Sequence, residues 1–566
     1  MNGDVFRGSA LSVCMVVAAL SCLGCRGSGS AESLVPAGTG ESPNAWCTWA
    51  TQNLSLVPGS VRGDGKILFA GDQGAAGARE NIGDCAVFSE GGWIDGWDAV
   101  RGDLTFLFDD GWDVKPKIDR AKEIYLFGSL ELDESKFPSC ADKSFAQRLK
   151  KLDARVRERG WKGAGLWVAA QCARKNPDEK FTPEREREYW RERILWSKEA
   201  GINYWKVDWG ERAHSVEFRK MLTELGAELH PGLLIEHSIP NSPVNDLRFD
   251  KSKGAFAGSG AFENSDPKLL DRIRALLKVS GYTRVYDTIT PLTTPSTISR
   301  TAWYLSEGEK AGGKGLINVE DDVYTGAGLG CAYGVMRSPF WGAARSDEVA
   351  RRRFKSAEVV RAVRWSRIAP AFPLDKSRTV FSEERLEDDW TFSEGQTWWR
   401  DAWGRKLAQS APAVVARNLP LPKVSPEGAD APFVLASRHP DGPVAVSVMP
   451  RIKSGRGIFF PPAKIAVDAD ISGKKVGLFG KFSSISFKMP KKPSRILAQD
   501  LASDSPEDVS DECAWSDGTL AIPGSLSDRL CAKTREKPGK RGRNTRRGSP
   551  PPPKPPPPPP ERARPG

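Results

Sequence analysis

Between residues 100 and 345 one pattern recurs six times: a short apolar run ending in polar or acidic residues, then a segment with helical periodicity. The runs are LTFLFDDGW, GLWVAAQ, YWKVDWG, LLIEHS, RVYDTI and GLINVEDD. Between them, Phe145, Leu149, Leu152 and Val156 repeat at helical spacing, as do Trp190 with Ile194, then Phe218, Leu222, Leu225 and Leu229, then Leu270, Ile273 and Leu277. Strands alternating with helices predict a parallel sheet with right-handed crossovers. That leaves a (β/α)8 barrel or a doubly wound open sheet. No Gly-x-Gly-x-x-Gly follows a strand and no Gly-Lys-Ser/Thr loop occurs, so the nucleotide-binding versions of the open sheet lose support.

Five of the six runs carry acid toward their C-terminal ends: Asp109 and Asp110, Asp208, Glu236, Asp287, Asp321 and Asp322. In a barrel those ends converge on one rim, where the active sites of such enzymes sit. The stretch NYWKVDWG at 203–210 is the most telling. Alternation along a strand puts Tyr204, Lys206 and Asp208 on one face and Trp205, Val207 and Trp209 on the other. A cation and an anion thus end one face of an otherwise greasy strand, while Trp205 and Trp209 read as core. Several carboxylates in a sugar-sized cup suggest glycoside cleavage, in which one carboxylate attacks the anomeric carbon and a second protonates the leaving oxygen. A lysine two residues before the nucleophile favours its ionised form. Glu236 and His237 read as scaffold.

After about residue 385 the texture changes to short alternating segments with Pro and Gly between them, such as PFVLASRHPDGPVAVSVMP, which predicts an all-β domain. The formal charge of +11 is concentrated at the end: Lys533 to Arg564 contains eleven Lys or Arg against Glu536 and Glu561, leaving about +2 for the rest. A nucleic-acid partner is therefore not indicated, and the Pro-rich basic tail is expected to be disordered. Nineteen tryptophans suit stacking on sugars but also fill cores.

The chain begins with Arg7, an apolar run and a Gly/Ser linker, the layout of a signal leader too short to span a membrane. CLGC resembles the lipobox of bacterial lipoproteins, with Cys25 as the lipidated residue, so the protein is expected to be exported to the periplasm or cell surface and to meet a membrane only through that lipid. Of ten cysteines, seven lie beyond this leader; Cys47 with Cys85 and Cys513 with Cys531 are the candidate disulfides. Without Cys-x-x-Cys beyond the leader or any His-x-x-x-His, and with four histidines, no metal site and no cofactor are expected.

FLFDDGWD, YWKVDWG, RVYD and INVEDD resemble, in order, the strand-end motifs of the α-galactosidase (melibiase) clan of glycoside hydrolases, across roughly residues 42–345. The resemblance implies a (β/α)8 barrel with a C-terminal β-domain and a retaining mechanism on terminal α-linked sugars of an oligo- or polysaccharide. Matched residue by residue, it implies Asp208 as nucleophile, Asp287 as acid/base, Lys206 and Arg284 as donors to substrate hydroxyls, Asp109 and Asp110 as acceptors, and Trp112 as a stacking platform. Asp321 and Asp322 join the substrate site. The expected organisation is a leader over 1–25, a linker over 26–41, the barrel with an N-terminal extension over 42–385, a β-sandwich over 386–531 and the tail over 532–566. Two other readings stay open: a glycosidase for another α-linked hexoside or pentoside, and a non-catalytic carbohydrate-binding surface lipoprotein.

Overall fold

A computed structural model describes residues 14–20, 32–54, 77–238, 248–250, 255–257, 260–285, 291–337, 356–393 and 402–535. Eight parallel strands close into a barrel in sequence order: β1 (Ala45–Cys47), β2 (Thr105–Phe108), β3 (Gly163–Val168), β4 (Tyr204–Val207), β5 (Leu234–His237), β6 (Tyr282–Val285), β7 (Leu316–Glu320) and β8 (Ala332–Val335), which returns to β1. The crossover helices include α1 (Phe145–Glu158), α2 (Pro183–Ala200), α3 (Val216–Leu229) and α4 (Pro267–Val279). Their starts are chemically marked. The side chains of Ser144, Thr182, Ser215 and Asp266 accept from amides in the first turn, and Pro occupies the first helical position of α2 and α4. The predicted stripes are buried against the strands, with Leu149, Leu152, Val156, Trp190, Ile194, Phe218, Leu222, Leu225, Leu270, Ile273 and Leu277 all in one core.

Inside the barrel the layers differ. The floor is apolar and small, with Ala45, Leu107, Tyr204, Tyr282 and Ala332 packed together. Toward the strands' C-terminal ends the inward positions become ionic, Lys206 standing level with Trp167 and Glu236, and Arg284 level with Asn318. Trp205 faces the opposite way, as expected, and its indole donates to Ser197 Oγ at 3.0 Å.

The C-terminal domain is a sandwich of an eight-stranded and a five-stranded sheet. One core joins Val434, Val446 and Leu478 of the first to Ile465, Ile485 and Leu520 of the second. Past the barrel its strands begin with Thr379–Phe381, slightly ahead of the expected boundary at 386, and it closes on a helix, Gly524–Arg535. Most of the basic tail, 536–566, lies outside the described residues.

Two sequence expectations meet a different arrangement. Cys14–Leu20, expected in the leader, is a strand in the middle of the larger sheet, antiparallel to both Lys475–Gly480 and Arg495–Asp500, with Met15, Val16 and Val17 buried. A continuous apolar run with paired valines suits a strand buried on both faces as well as it suits a leader, so the run alone does not distinguish them. Cys25 lies outside the described residues. The expected disulfides are absent: all seven described cysteines beyond the strand at 14–20 are free thiols, Cys47 buried inside the barrel and Cys85 exposed.

Candidate active site

Asp208 follows β4 directly, and the backbone fixes it before any side chain does. Its amide donates to Val168 O at 3.0 Å, and Ala170 N donates back to Trp209 O at 2.8 Å, tying the segment to the end of β3. Gly210 completes the tie. Its φ is +148°, and a Cβ there would stand 2.7 Å from the backbone of Ala170, so only glycine closes this turn. Trp167 on β3 donates its indole N–H to Asp208 Oδ2 at 3.1 Å. The other oxygen, Oδ1, is buried and accepts no hydrogen bond from the described residues. One oxygen is held and the other is left with its acceptor capacity unused.

Lys206 lies one side chain deeper on the same face. Its Nζ is 2.9 Å from Asp109 Oδ2 and 3.7 Å from Asp208 Oδ2. Asp109 is in turn set by the amide of Asp110 at 2.9 Å on Oδ1 and by the Cys47 thiol at 3.0 Å on Oδ2. Burial alone would discharge the ammonium, but the neighbouring Asp109, Cys47 and Asp208 hold its pKa well above the lysine range. For Asp208 the balance runs the other way. Burial pushes its pKa above the carboxylate range although Lys206 opposes the shift, so the expectation that the lysine dominates is corrected.

Arg284, on β6, sits between two carboxylates, with Nη2 2.8 Å from Glu236 Oε2 and Nη1 2.8 Å from Glu320 Oε2. Tyr204 Oη and Asn318 Nδ2 also donate to Glu236. Gly334 makes the space: a Cβ there would stand 2.9 Å from the Asn318 amide and 3.1 Å from Arg284 Nη1. Glu236 is thus scaffold, as read from the sequence, while Arg284 is a buried ionic strut, its pKa held well above the arginine range against burial by Glu236 and Glu320. Among the described residues the cup holds four carboxylates, Asp109, Asp208, Glu236 and Glu320, against two cations, Lys206 and Arg284. A formal excess of negative charge in a low-dielectric cup favours a transition state that develops positive charge.

The remaining expected site residues divide. Asp287 lies outside the described residues. Both oxygens of Asp110 are engaged, by a two-pronged contact from Arg79 at 2.9 and 2.7 Å and by Trp209 Nε1 at 3.2 Å, so it braces the rim. The role given to Trp112 is corrected: the ring is fully buried and its N–H donates to Trp167 O at 2.9 Å, with no face open to a sugar. Trp112→Phe should therefore leave KM unchanged while lowering stability by about 1–3 kcal/mol, because the carbonyl of Trp167 loses its donor; a thermal melt beside a KM measurement checks both. Asp321 sits at φ +55° and accepts from Met336 N at 3.2 Å, and Asp322 caps the helix Val323–Leu329 through Thr325 N and accepts from Thr294 Oγ1. Both hold loops at the rim. Trp209, expected in the core, is only half-buried at the mouth, tilted against Trp167 and edge-to-face with Phe127 at centroid distances of 5.1 Å, and beneath the Arg120 guanidinium at 4.1 Å.

The sequence reading missed Trp167, Cys47 and Arg79. Trp167 alone carried a signal: period-two alternation in GAGLWV puts Gly165 and Trp167 on one face of β3.

A closed parallel barrel with an ionic cup at its C-terminal mouth is the class that the chain's own geometry defines. Scanned against protein-family models and against curated proteins, the chain matches none. Among solved structures it resembles a GH27 β-L-arabinopyranosidase variant from Geobacillus stearothermophilus in complex with arabinose, with a TM-score of 0.33, 8% identity and coverage of 79% of this chain and 96% of that one. It also resembles a putative α-N-acetylgalactosaminidase from Bacillus halodurans, with a TM-score of 0.33, 11% identity and coverage of 69% and 96%. A third neighbour is the carboxyl transferase domain of Rhizobium etli pyruvate carboxylase, with a TM-score of 0.28 and 13% identity over 59% of this chain. The chain spans 49% of that domain and 32% of a whole pyruvate carboxylase chain.

Proposed function

We propose that the protein is a glycoside hydrolase that removes terminal α-linked sugars by a retaining double displacement, with Asp208 as nucleophile and Asp287 as acid/base. The observation that carries this reading is Asp208 itself, with one oxygen held by the Trp167 indole and the other buried and unused. A nucleophilic carboxylate needs that asymmetry: one oxygen stabilised as charge leaves it, the other able to bond to the anomeric carbon. Lys206 and Asp109 stand beside it as a donor and an acceptor for ring hydroxyls. Asp287 follows β6 two positions after Val285, the sequence position that the resemblance to the α-galactosidase clan gives to the acid/base. Galactose is the first sugar to test, and another α-linked hexoside or pentoside is the second.

Hydrolysis of a panel of chromogenic α- and β-glycosides by the purified full chain tests the proposal. Release from an α-glycoside that disappears in Asp208→Asn supports it, and no release from any member contradicts it. Export belongs to the same proposal, with Cys25 as the acylated residue. A processed chain beginning at Cys25 would lack the strand Cys14–Leu20, so the intact mass of the protein isolated from its own cells distinguishes removal from retention of that strand.

A further inference from the structure

Arg219, on α3, is fully buried and, among the described residues, its hydrogen bonds go to carbonyls and a histidine rather than to a carboxylate. Every one of its five N–H donors nevertheless has an acceptor. Nε donates to Ala213 O at 2.9 Å, Nη1 to Val207 O at 3.0 Å, and Nη2 to Asp208 O at 3.0 Å and Ser238 O at 2.6 Å. The fifth acceptor is His237 Nδ1, 3.3 Å from Nη1. The tautomer follows from its neighbours. The one hydroxyl proton of Thr223 goes to Arg219 O at 3.0 Å, so His237 Nε2 must donate to Thr223 Oγ1 at 2.8 Å, leaving Nδ1 as an acceptor. His237 is thus neutral, in keeping with a pKa held well below the histidine range by burial and by Arg219.

The guanidinium therefore clamps the carbonyls at the ends of β4 and β5 and in the turn after Asp208. A carbonyl acceptor neutralises no charge, so the cation remains electrically open beside the peptide of Asp208. We propose that Arg219 is a positioning residue for the nucleophile, fixing the Asp208 peptide against β5 and supplying a positive field that favours the ionised carboxylate. The proposal rests on the reading of Asp208 as nucleophile. Arg219 itself faces Asp208, His237 and His214, and the Asp208 carboxylate also feels Lys206, Asp109 and Arg284. All of these except Arg219 are unchanged in the variants used below.

The test compares wild type, Arg219→Lys and Arg219→Gln in the full chain on the glycoside found by the panel. It records kcat, KM and the pH dependence of inactivation by a 5-fluoroglycosyl fluoride of that sugar, with the labelled peptide mapped by mass spectrometry. Arg219→Gln should lower kcat about 100-fold at nearly constant KM, the cost of a small misplacement of a reacting group. Its acid limb should move to higher pH, because a lost cation makes the carboxylate easier to protonate. Arg219→Lys keeps charge but not the fork, so its limb should stay while kcat falls. If Arg219→Gln does not fold, Arg219→Lys decides: kcat within about threefold of wild type overturns the proposal. Label on Asp208 with kcat and acid limb unchanged in Arg219→Gln overturns this inference alone, whereas label on another residue in the wild type overturns the nucleophile assignment and this inference with it.

Discussion

Asp208→Asn should abolish turnover and raise the melting temperature in the same protein. The loss of activity should be at least about 10³-fold, the scale on which removal of an essential nucleophile acts. The gain in stability has a separate cause. Burial raises the pKa of Asp208 in the folded state, so the folded protein binds this proton more tightly than the unfolded chain does. Stability then falls as pH climbs from the unfolded carboxylate value through the raised folded value, and the penalty is complete above it. Asparagine removes that penalty and can still accept from Trp167. The excess stability of the variant should therefore be absent near pH 3, where both states carry the proton, and fully present at neutral pH. Melting curves across pH check this directly. A variant less stable than wild type at neutral pH would show that Lys206 outweighs burial after all.

Lys206→Met carries the largest expected cost to the fold. The lysine is the direct partner of Asp109 at 2.9 Å and stands 3.7 Å from Asp208, and all three side chains are buried. Removing one partner of a buried pair leaves an uncompensated charge at about 3–5 kcal/mol. At about 2.1 cal/mol/K of unfolding entropy per residue, a barrel running from Ala45 to just before Thr379 shifts by roughly 1.4 °C per kcal/mol, so that corresponds to roughly 4–7 °C in melting temperature. Adding Asp109→Asn to the same chain removes the orphaned charge and should restore most of the loss, since replacing both members of a buried pair is often nearly neutral. A Lys206→Met protein that melts with the wild type, or a double variant less stable than the single one, would remove the ion pair from the account.

What the sequence made legible was the part governed by local periodicity. Acids at the ends of apolar runs, with amphipathic segments between them, led to a barrel whose cup does bring Asp109, Lys206, Asp208 and Arg284 together. Closure of the sheet fixes which inward residues face one another, and local alternation carries no record of it. Hence Arg284 read as a hydroxyl donor, although Glu236 and Glu320, on the strands either side of it, pair with its guanidinium at 2.8 Å each. Trp112 read as a platform because DDGW names a residue type and position but not whether the loop folds the ring inward. Cys47 read as a disulfide partner because pairing by proximity in sequence ignores the barrel wall between it and Cys85. The apolar run at 14–20 was ambiguous in principle, since one composition serves a leader and a strand buried on both faces.

The direct test of Asp208 as the nucleophile of a retaining glycosidase is the stereochemistry of the first product. Proton NMR of the reaction on the best substrate of the panel, recorded before mutarotation, resolves the anomeric signals. Two displacements at one carbon restore the starting configuration, so the account predicts that the α-anomer of the released sugar appears first and the β-anomer only as mutarotation proceeds. The β-anomer as first product would mean that water, not Asp208, attacks the anomeric carbon, and would contradict the account.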